Sequence, residues 1–170
     1  MTATQAAAGS DFVISRVLDA PRDLVWKCFT DPEHMKGWWG PKGAKVVASK
    51  MDLRPGGTYH YGMQMPDGSA IWGRQVYREI VPPEKLVFIN SFSDEKGGLA
   101  RHPMAPTWPA QMMTTVQLLD FGPKTLITVL WSPYEANEVE RQTFADGMAS
   151  MHQGWSGTFE RLDDYLKTHG

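Results

Sequence analysis

Cysteine is nearly absent from this sequence. Its 170 residues contain one, Cys28, which excludes an internal disulfide and, with no CxxC or Cys/His cluster, a structural zinc site. A reducing, cytoplasmic setting fits that usage. Long apolar runs are missing too: none approaches the roughly 18 consecutive residues that a membrane-spanning helix needs. Residues 1–10 lack the basic start and apolar stretch of a signal peptide and read as a disordered tail ahead of one domain over 11–170. Excess charge is lacking as well. The chain has 17 Lys+Arg against 19 Asp+Glu, a net charge of -2, which argues against a nucleic-acid partner bound by neutralising phosphates. HExxH, a Gly-rich phosphate loop and GxSxG do not occur, so metalloprotease, nucleotide-binding and α/β-hydrolase readings lose support. His34, His60, His102 and His152 fall on different predicted elements without a ligand spacing, so neither a metal nor a cofactor is expected.

Large and soft apolar side chains are what the sequence has in excess, with ten Met and seven Trp. Residues 12–18, rich in apolar and β-branched side chains and stopped by Asp19-Ala-Pro21, read as a strand. Pro21 suits the first position of a helix carrying Leu24, Val25, Cys28 and Phe29 at helical spacing. Thr30-Asp-Pro-Glu33 repeats that signal for a second, short helix closed by Trp38-Trp-Gly-Pro41. The period then becomes two. Strands are predicted over 45–53, 58–65, 70–81, 86–93, 112–119 and 125–131, separated by turn formers such as Arg54-Pro-Gly-Gly57 and Pro66-Asp-Gly68, as in an antiparallel meander. Residues 94–110, with Gly97-Gly98 and three prolines, are too irregular for a strand and form a long loop. A single helix over 138–167 ends the chain, with Phe144, Met148, Met151, Trp155, Phe159, Leu162 and Leu166 on one face. The fold class is α+β: a curved antiparallel sheet of about seven strands burying the apolar stripe of a long C-terminal helix, with two short helices after the first strand.

Several ordered motifs carry a resemblance. They are Asp19-Ala-Pro21, Phe29-Thr-Asp-Pro32, Trp38-Trp-Gly-Pro41, Arg54-Pro-Gly-Gly-Thr-Tyr59, Pro66-Asp-Gly68, Glu79-Ile-Val-Pro-Pro-Glu-Lys-Leu-Val-Phe88, Gly122-Pro-Lys-Thr125 and Gly154-Trp155. In that order the chain resembles the START-like (SRPBCC, Bet v1-like) superfamily and, within it, the activator of heat-shock protein 90 ATPase homologue-like family. The resemblance implies a helix-grip fold, in which the sheet wraps the C-terminal helix and leaves an apolar cavity between them. It implies less about activity, since such folds serve as ligand carriers, cyclases and co-chaperone domains.

Candidate cavity residues follow from period and chemistry. Tyr59, Tyr61, Met63 and Met65 share one face of their strand, while His60, Gly62 and Gln64 share the other. The first set is either ordinary core or a cavity wall. Trp39, Trp72, Phe88, Phe92 and Trp131 are candidate neighbours in that wall, with Met148, Met151 and Trp155 facing them from the helix. Methionine adapts to varied ligand shapes, and Tyr and Trp add area with a polar tip. Arg74, which shares the parity of Trp72 as Arg78 does, is the candidate anchor for an anion, against a solvent-exposed alternative. In the 94–110 loop, His102, Met104 and Trp108 are the candidate lid. Gly147, Ser150, Gly154 and Gly157 line one flank of the helix, where glycine costs about 0.5 to 1 kcal/mol relative to alanine. Close approach to the sheet, room for a ligand, or a partner helix would each offset that cost.

The sequence therefore points first to a protein that holds a small apolar or amphipathic molecule between sheet and helix. A co-chaperone-like interaction module with a chaperone partner ranks lower, and a polyketide cyclase-like enzyme would need Arg, His or Glu converging inside the pocket. No catalytic residue is assigned. A homodimer is expected on general grounds only.

Overall fold

The computed structural model describes residues 11–169. The proposed tail over 1–10 lies outside the described residues. Strand β1 (Phe12–Leu18) leads into α1 (Arg22–Thr30) and α2 (Pro32–Met35). Strands β2 (Lys45–Met51), β3 (Thr58–Gln64), β4 (Ala70–Val81), β5 (Lys85–Ser93), β6 (Leu99–Ala100), β7 (Met112–Phe121) and β8 (Lys124–Pro133) follow, and α3 (Glu138–Asp146) and α4 (Met148–His169) complete the chain.

One antiparallel sheet runs in the order β1-β8-β7-β5-β4-β3-β2, with β6 paired to β5. The meander is as the turn formers predict, and β1 extends it by pairing with β8 from Phe12↔Trp131 to Leu18↔Thr125. Register assigns the two faces, because residues directly opposite in neighbouring strands point the same way. Tyr59↔Gln75↔Asn90↔Met112 and Tyr61↔Gly73↔Phe92 lie on the face turned to α4. His60↔Arg74↔Ser91 and Gly62↔Trp72↔Ser93 lie on the face turned away.

The apolar stripe of α4 fills the concave side of the sheet. Met151, Trp155, Phe159, Leu162 and Leu166 are buried together with Leu18, Val116, Leu118, Ile127 and Val129. At its C-terminal half α4 is tied down by polar contacts. Arg16 on β1 meets Asp163 at 2.7 Å, His34 Nδ1 lies 2.7 Å from the Tyr165 hydroxyl, and the Arg161 guanidinium donates to the carbonyls of Trp39, Gly40, Pro41 and Ala44. Trp38 is fully buried, its indole N–H donating to Cys28 O at 2.9 Å. Cys28 is buried as well, which pushes its thiol up to about 12.

Three sequence expectations need correction. The single helix over 138–167 is two helices, because Gly147 leaves the helical conformation and caps α3; Gly147 is thus not a helix-interior residue. The irregular loop contains the two-residue strand β6, which pairs Leu99 with Ser93 and Ala100 with Phe92. Pro21 occupies the N-cap of α1 rather than its first turn. Asp31, by contrast, caps α2 as expected, accepting from Glu33 N at 2.9 Å. Among the described residues no helix is long and apolar enough to cross a membrane, and no group of three His, Cys, Asp or Glu side chains is placed to hold a metal ion.

Candidate functional site

The N-terminal half of α4, the inward faces of β3, β4 and β5, the turn after Trp39 and the loop between β5 and β7 enclose a cavity of about 520 Å³. Half of its lining residues are aromatic or sulfur-bearing, His102 included. Aromatic contacts run as a chain from the core into the lining. Tyr59 stacks on Tyr61 at 5.0 Å, Tyr61 meets Trp39 edge-on at 6.1 Å, Trp39 meets Trp155 at 6.3 Å, and Trp155 meets Trp131 at 5.6 Å.

Two backbone features make this space. Gly73 lies opposite Tyr61 on the inward face, and a Cβ there would come within 2.5 Å of the Tyr61 hydroxyl. Gly40 has φ +96, a conformation that disfavours an L side chain, and it turns the chain beside Met63 just after Trp39. The helix contributes a flank of small residues: Ser150, Gly154 and Thr158 all border the cavity.

The residues expected in a wall divide between this cavity and other places. Trp39, Tyr61, Met63, Phe92, Trp131, Met151 and Trp155 line the cavity, as do His102 and Trp108 from the loop. Tyr59 and Phe88 do not; both are packed into the core, at 0% and 3% exposure. Met148 is only half-buried against that core and does not reach the lining. Trp72 borders the space, but its indole is on the outward face, packed over Gly62 and stacked on the His60 ring at 5.2 Å. Arg74 is also outward, donating to Gly97 O at 3.1 Å, so it anchors no group inside the cavity. Met104 is 87% exposed and covers nothing.

The parity of Trp72 and Arg74 was readable in principle. Five residues link Gln64 to Ala70, and pairing those two brings Ile71 rather than Trp72 opposite Met63. Ile71 and Asn90 are lining residues that strand parity alone did not single out. Gly154 was singled out, and no atom lies within 4 Å of a Cβ built there, so close approach to the sheet does not explain it.

The loop over the cavity is strapped in place. Arg101 pairs with Glu140 at 2.7 Å and also donates to Pro106 O and Trp108 O. Glu140 in turn completes a capping box with Asn137 at the start of α3. Trp108 packs on Phe144 at 5.7 Å, and His102 meets Phe92 edge-on at 4.9 Å. Burial holds the His102 imidazole below its ordinary pKa, so it favours the neutral form.

The lining is polar at few places. Trp131 Nε1 is buried away from the cavity surface and has no acceptor among the described residues. Asn90 Oδ1 accepts from the Thr114 hydroxyl, which leaves its amide N–H groups free of that contact. No Asp, Glu, Lys or Arg is among the described lining residues. Such a site can desolvate an apolar body and orient it through a few hydrogen bonds.

Comparison with known proteins places this geometry. Solved structures share the fold: a protein from Arthrobacter aurescens at TM-score 0.77, with 26% identity over 95% of this chain and 88% of that one; a protein from Nitrosomonas europaea at 0.74, with 26% identity over 95% and 97%; and a protein from Mycobacterium smegmatis at 0.74, with 23% identity over 94% and 92%. No curated protein matches the chain. The family described as activator of Hsp90 ATPase homolog 1-like protein matches residues 19–167. Since that match takes in most of the sequence and the helix-grip architecture agrees with it, the chain belongs to the activator of Hsp90 ATPase homolog 1-like family.

Proposed function

We propose that this protein is a small-molecule binding protein, holding an apolar or amphipathic ligand between the sheet and α4. The cavity of about 520 Å³, walled by Trp39, Tyr61, Phe92, Trp131 and Trp155, is the observation that supports this reading. Its size falls in the ordinary range of ligand sites, about 300–1,000 Å³. Affinity would come from apolar burial, at roughly 25 cal/mol for each Å² removed from water. A cyclase-like chemistry calls for Arg, His or Glu converging on the ligand, whereas only His102 among these types reaches the described lining.

The test is native mass spectrometry of freshly purified protein, followed by titration with the neutral fluorophore N-phenyl-1-naphthylamine. One bound small molecule, or saturable 1:1 uptake of the probe that Met151→Trp abolishes without unfolding the protein, is the expected result. A protein that carries nothing and refuses the probe would overturn the reading.

A second reading rests on the outward face of the sheet. Val13, Val17, Leu119 and Phe121 are all exposed there, and Val17 and Leu119 both pair with Leu126. Exposed apolar groups of this kind suit a protein partner, and the family description names activation of Hsp90 ATPase. Stimulation of a chaperone ATPase that Leu119→Asp removes and Met151→Trp leaves intact would favour this reading over the cavity.

A further inference from the structure

Ser150, Gly154 and Thr158 follow one another at four-residue spacing along the flank of α4 that borders the cavity. Arg161, three residues past Thr158, continues that flank. The turn after α2 lines the same cavity with Trp39, Gly40 and Pro41. The Arg161 guanidinium joins the two. Its Nη1 donates to the carbonyls of Trp39 at 3.2 Å, Gly40 at 3.0 Å and Pro41 at 2.7 Å, and its Nη2 donates to Ala44 O at 3.4 Å.

The turn has little else to hold it. Gly40 and Gly43 both take positive φ, +96 and +90, and Pro41 has no N–H, so regular pairing stops here. Trp39 N donates back to Met35 O and Ala44 N to Pro41 O, but among the described residues Arg161 is the only donor to the carbonyls of Trp39 and Gly40. A part-buried carbonyl left without a donor is costly, so these oxygens stay where the guanidinium reaches them. Asp164, three residues on along α4, borders the same outer cleft as Arg161, yet it pairs with Lys167 at 3.8 Å. Partial burial works against the Arg161 charge, and no carboxylate offsets it among the described residues. An arginine kept there without a counter-ion is placed for geometry: its planar fork meets several acceptors at once, where a lysine ammonium is a single point.

What the turn positions is Trp39. Its indole meets Tyr61 edge-on at 6.1 Å and Trp155 at 6.3 Å, so it is the piece of wall that joins β3 to α4.

We propose that Arg161 is a positioning residue for the cavity: by clamping the Trp39–Ala44 carbonyls from α4, it fixes Trp39 and sets the separation of that wall from the helix. Arg161 is not among the lining residues, so it acts through Trp39. The inference rests on the ligand-binding reading above and names the residue on which the shape of that site depends.

The experiment compares Arg161→Met, which keeps an apolar stem and removes the donors, with Arg161→Lys and with Asp163→Asn. The last breaks the other tether of this stretch of α4, to Arg16, without touching the turn. Arg161→Met is expected to weaken binding of N-phenyl-1-naphthylamine about 3- to 10-fold, the range that immobilising one free side chain on binding costs. Arg161→Lys should recover part of that loss, and Asp163→Asn should leave affinity unchanged even where its urea midpoint falls as far. Hydrogen exchange supplies a readout that needs no ligand: amides of residues 39–44 should exchange faster in Arg161→Met and not in Asp163→Asn. If Arg161→Met fails to fold, Arg161→Lys carries the same comparison, with weaker binding and faster exchange at 39–44 expected. Unaltered affinity in a folded Arg161 variant, or an equal loss in Asp163→Asn, would overturn the inference while the cavity reading stands. Turn amides that exchange alike in all the proteins would overturn the clamp whatever the probe does. Failure of the unaltered protein to bind the probe would overturn the cavity reading and this inference with it.

Discussion

Glu140 shows how one side chain joins the cavity cover to the helices behind it. Its carboxylate closes the capping box of α3, accepting from Asn137 N at 3.0 Å, and meets Arg101 of the loop at 2.7 Å while its side chain is only 7% exposed. The backbone hydrogen bond from Asn137 and the Arg101 guanidinium hold it below the ordinary carboxylate value. Because the folded pKa is depressed, the stabilisation is complete above the unfolded value near 4.5 and is lost as pH falls through the lower folded one. Glu140→Gln is expected to cost about 1–2 kcal/mol at neutral pH, the scale of a charge-assisted hydrogen bond, and to flatten the acid limb of the stability curve. Urea unfolding from pH 3 to 7 checks both. Alternation put Tyr61 and Met63 on one face and left open whether that face is core or wall; both line the cavity. The side taken by Trp72 and Arg74 was not legible, because alternation says which residues of a strand share a face and leaves open which face that is. Register with β3 decides it, and the same register uses Gly62 to admit the Trp72 ring outside and Gly73 to admit Tyr61 inside.

Helix α4 divides its labour along its length. The C-terminal half is fastened by Arg16–Asp163, His34–Tyr165 and the Arg161 carbonyl contacts, and the N-terminal half borders the cavity with Ser150, Gly154 and Thr158. Open space around a Cβ at Gly154 means that this glycine carries its helix penalty without a packing need. Gly154→Ala is therefore expected to raise stability by about 0.5–1 kcal/mol, close to the difference in helix propensity. Gly154→Leu should also fold, but its side chain would narrow the cavity border and weaken binding of N-phenyl-1-naphthylamine several-fold. Chemical denaturation and probe titration separate the two effects; lost stability in Gly154→Ala would show that the glycine is required by packing after all. The helix itself was visible from its apolar period, whereas its break at Gly147 was not, since the period of Phe144, Met148 and Met151 runs across the break undisturbed.

At the scale of the whole molecule, the sheet and α4 form the frame and the loop over 94–110 forms the part that can yield. Residues 94–100 are fixed by the pairing of β6 with β5 and by Arg74 on Gly97 O, whereas 101–108 is held by fewer contacts: Arg101 with Glu140, Thr107 with Thr143, Trp108 on Phe144 and His102 on Phe92. Strands β7 and β8, by contrast, pair along ten residues each. Hydrogen exchange should therefore be fast at residues 101–108 and slow in β7 and β8, with the loop gaining protection when N-phenyl-1-naphthylamine occupies the cavity. Loop amides indifferent to a bound probe would rule out the loop as a cover. His102 and Trp108 line the cavity from that loop, while Met104, chosen for its apolar character, is 87% exposed in a turn where its N–H donates to His102 Nδ1.

Sequence alone determined the order of the main elements, the antiparallel meander and the stripe by which α4 enters the core. These are local properties: period, turn chemistry and capping act over a few residues, and they leave direct marks in the chain. Tertiary structure decided which of those apolar side chains became core and which became wall. Tyr59 and Tyr61 are two residues apart on the same face, yet one is sealed in the core and the other borders the cavity. That outcome depends on Gly73 across the strand, on the Trp39 turn and on where α4 stops following the sheet, relations between segments distant in sequence that no local pattern encodes.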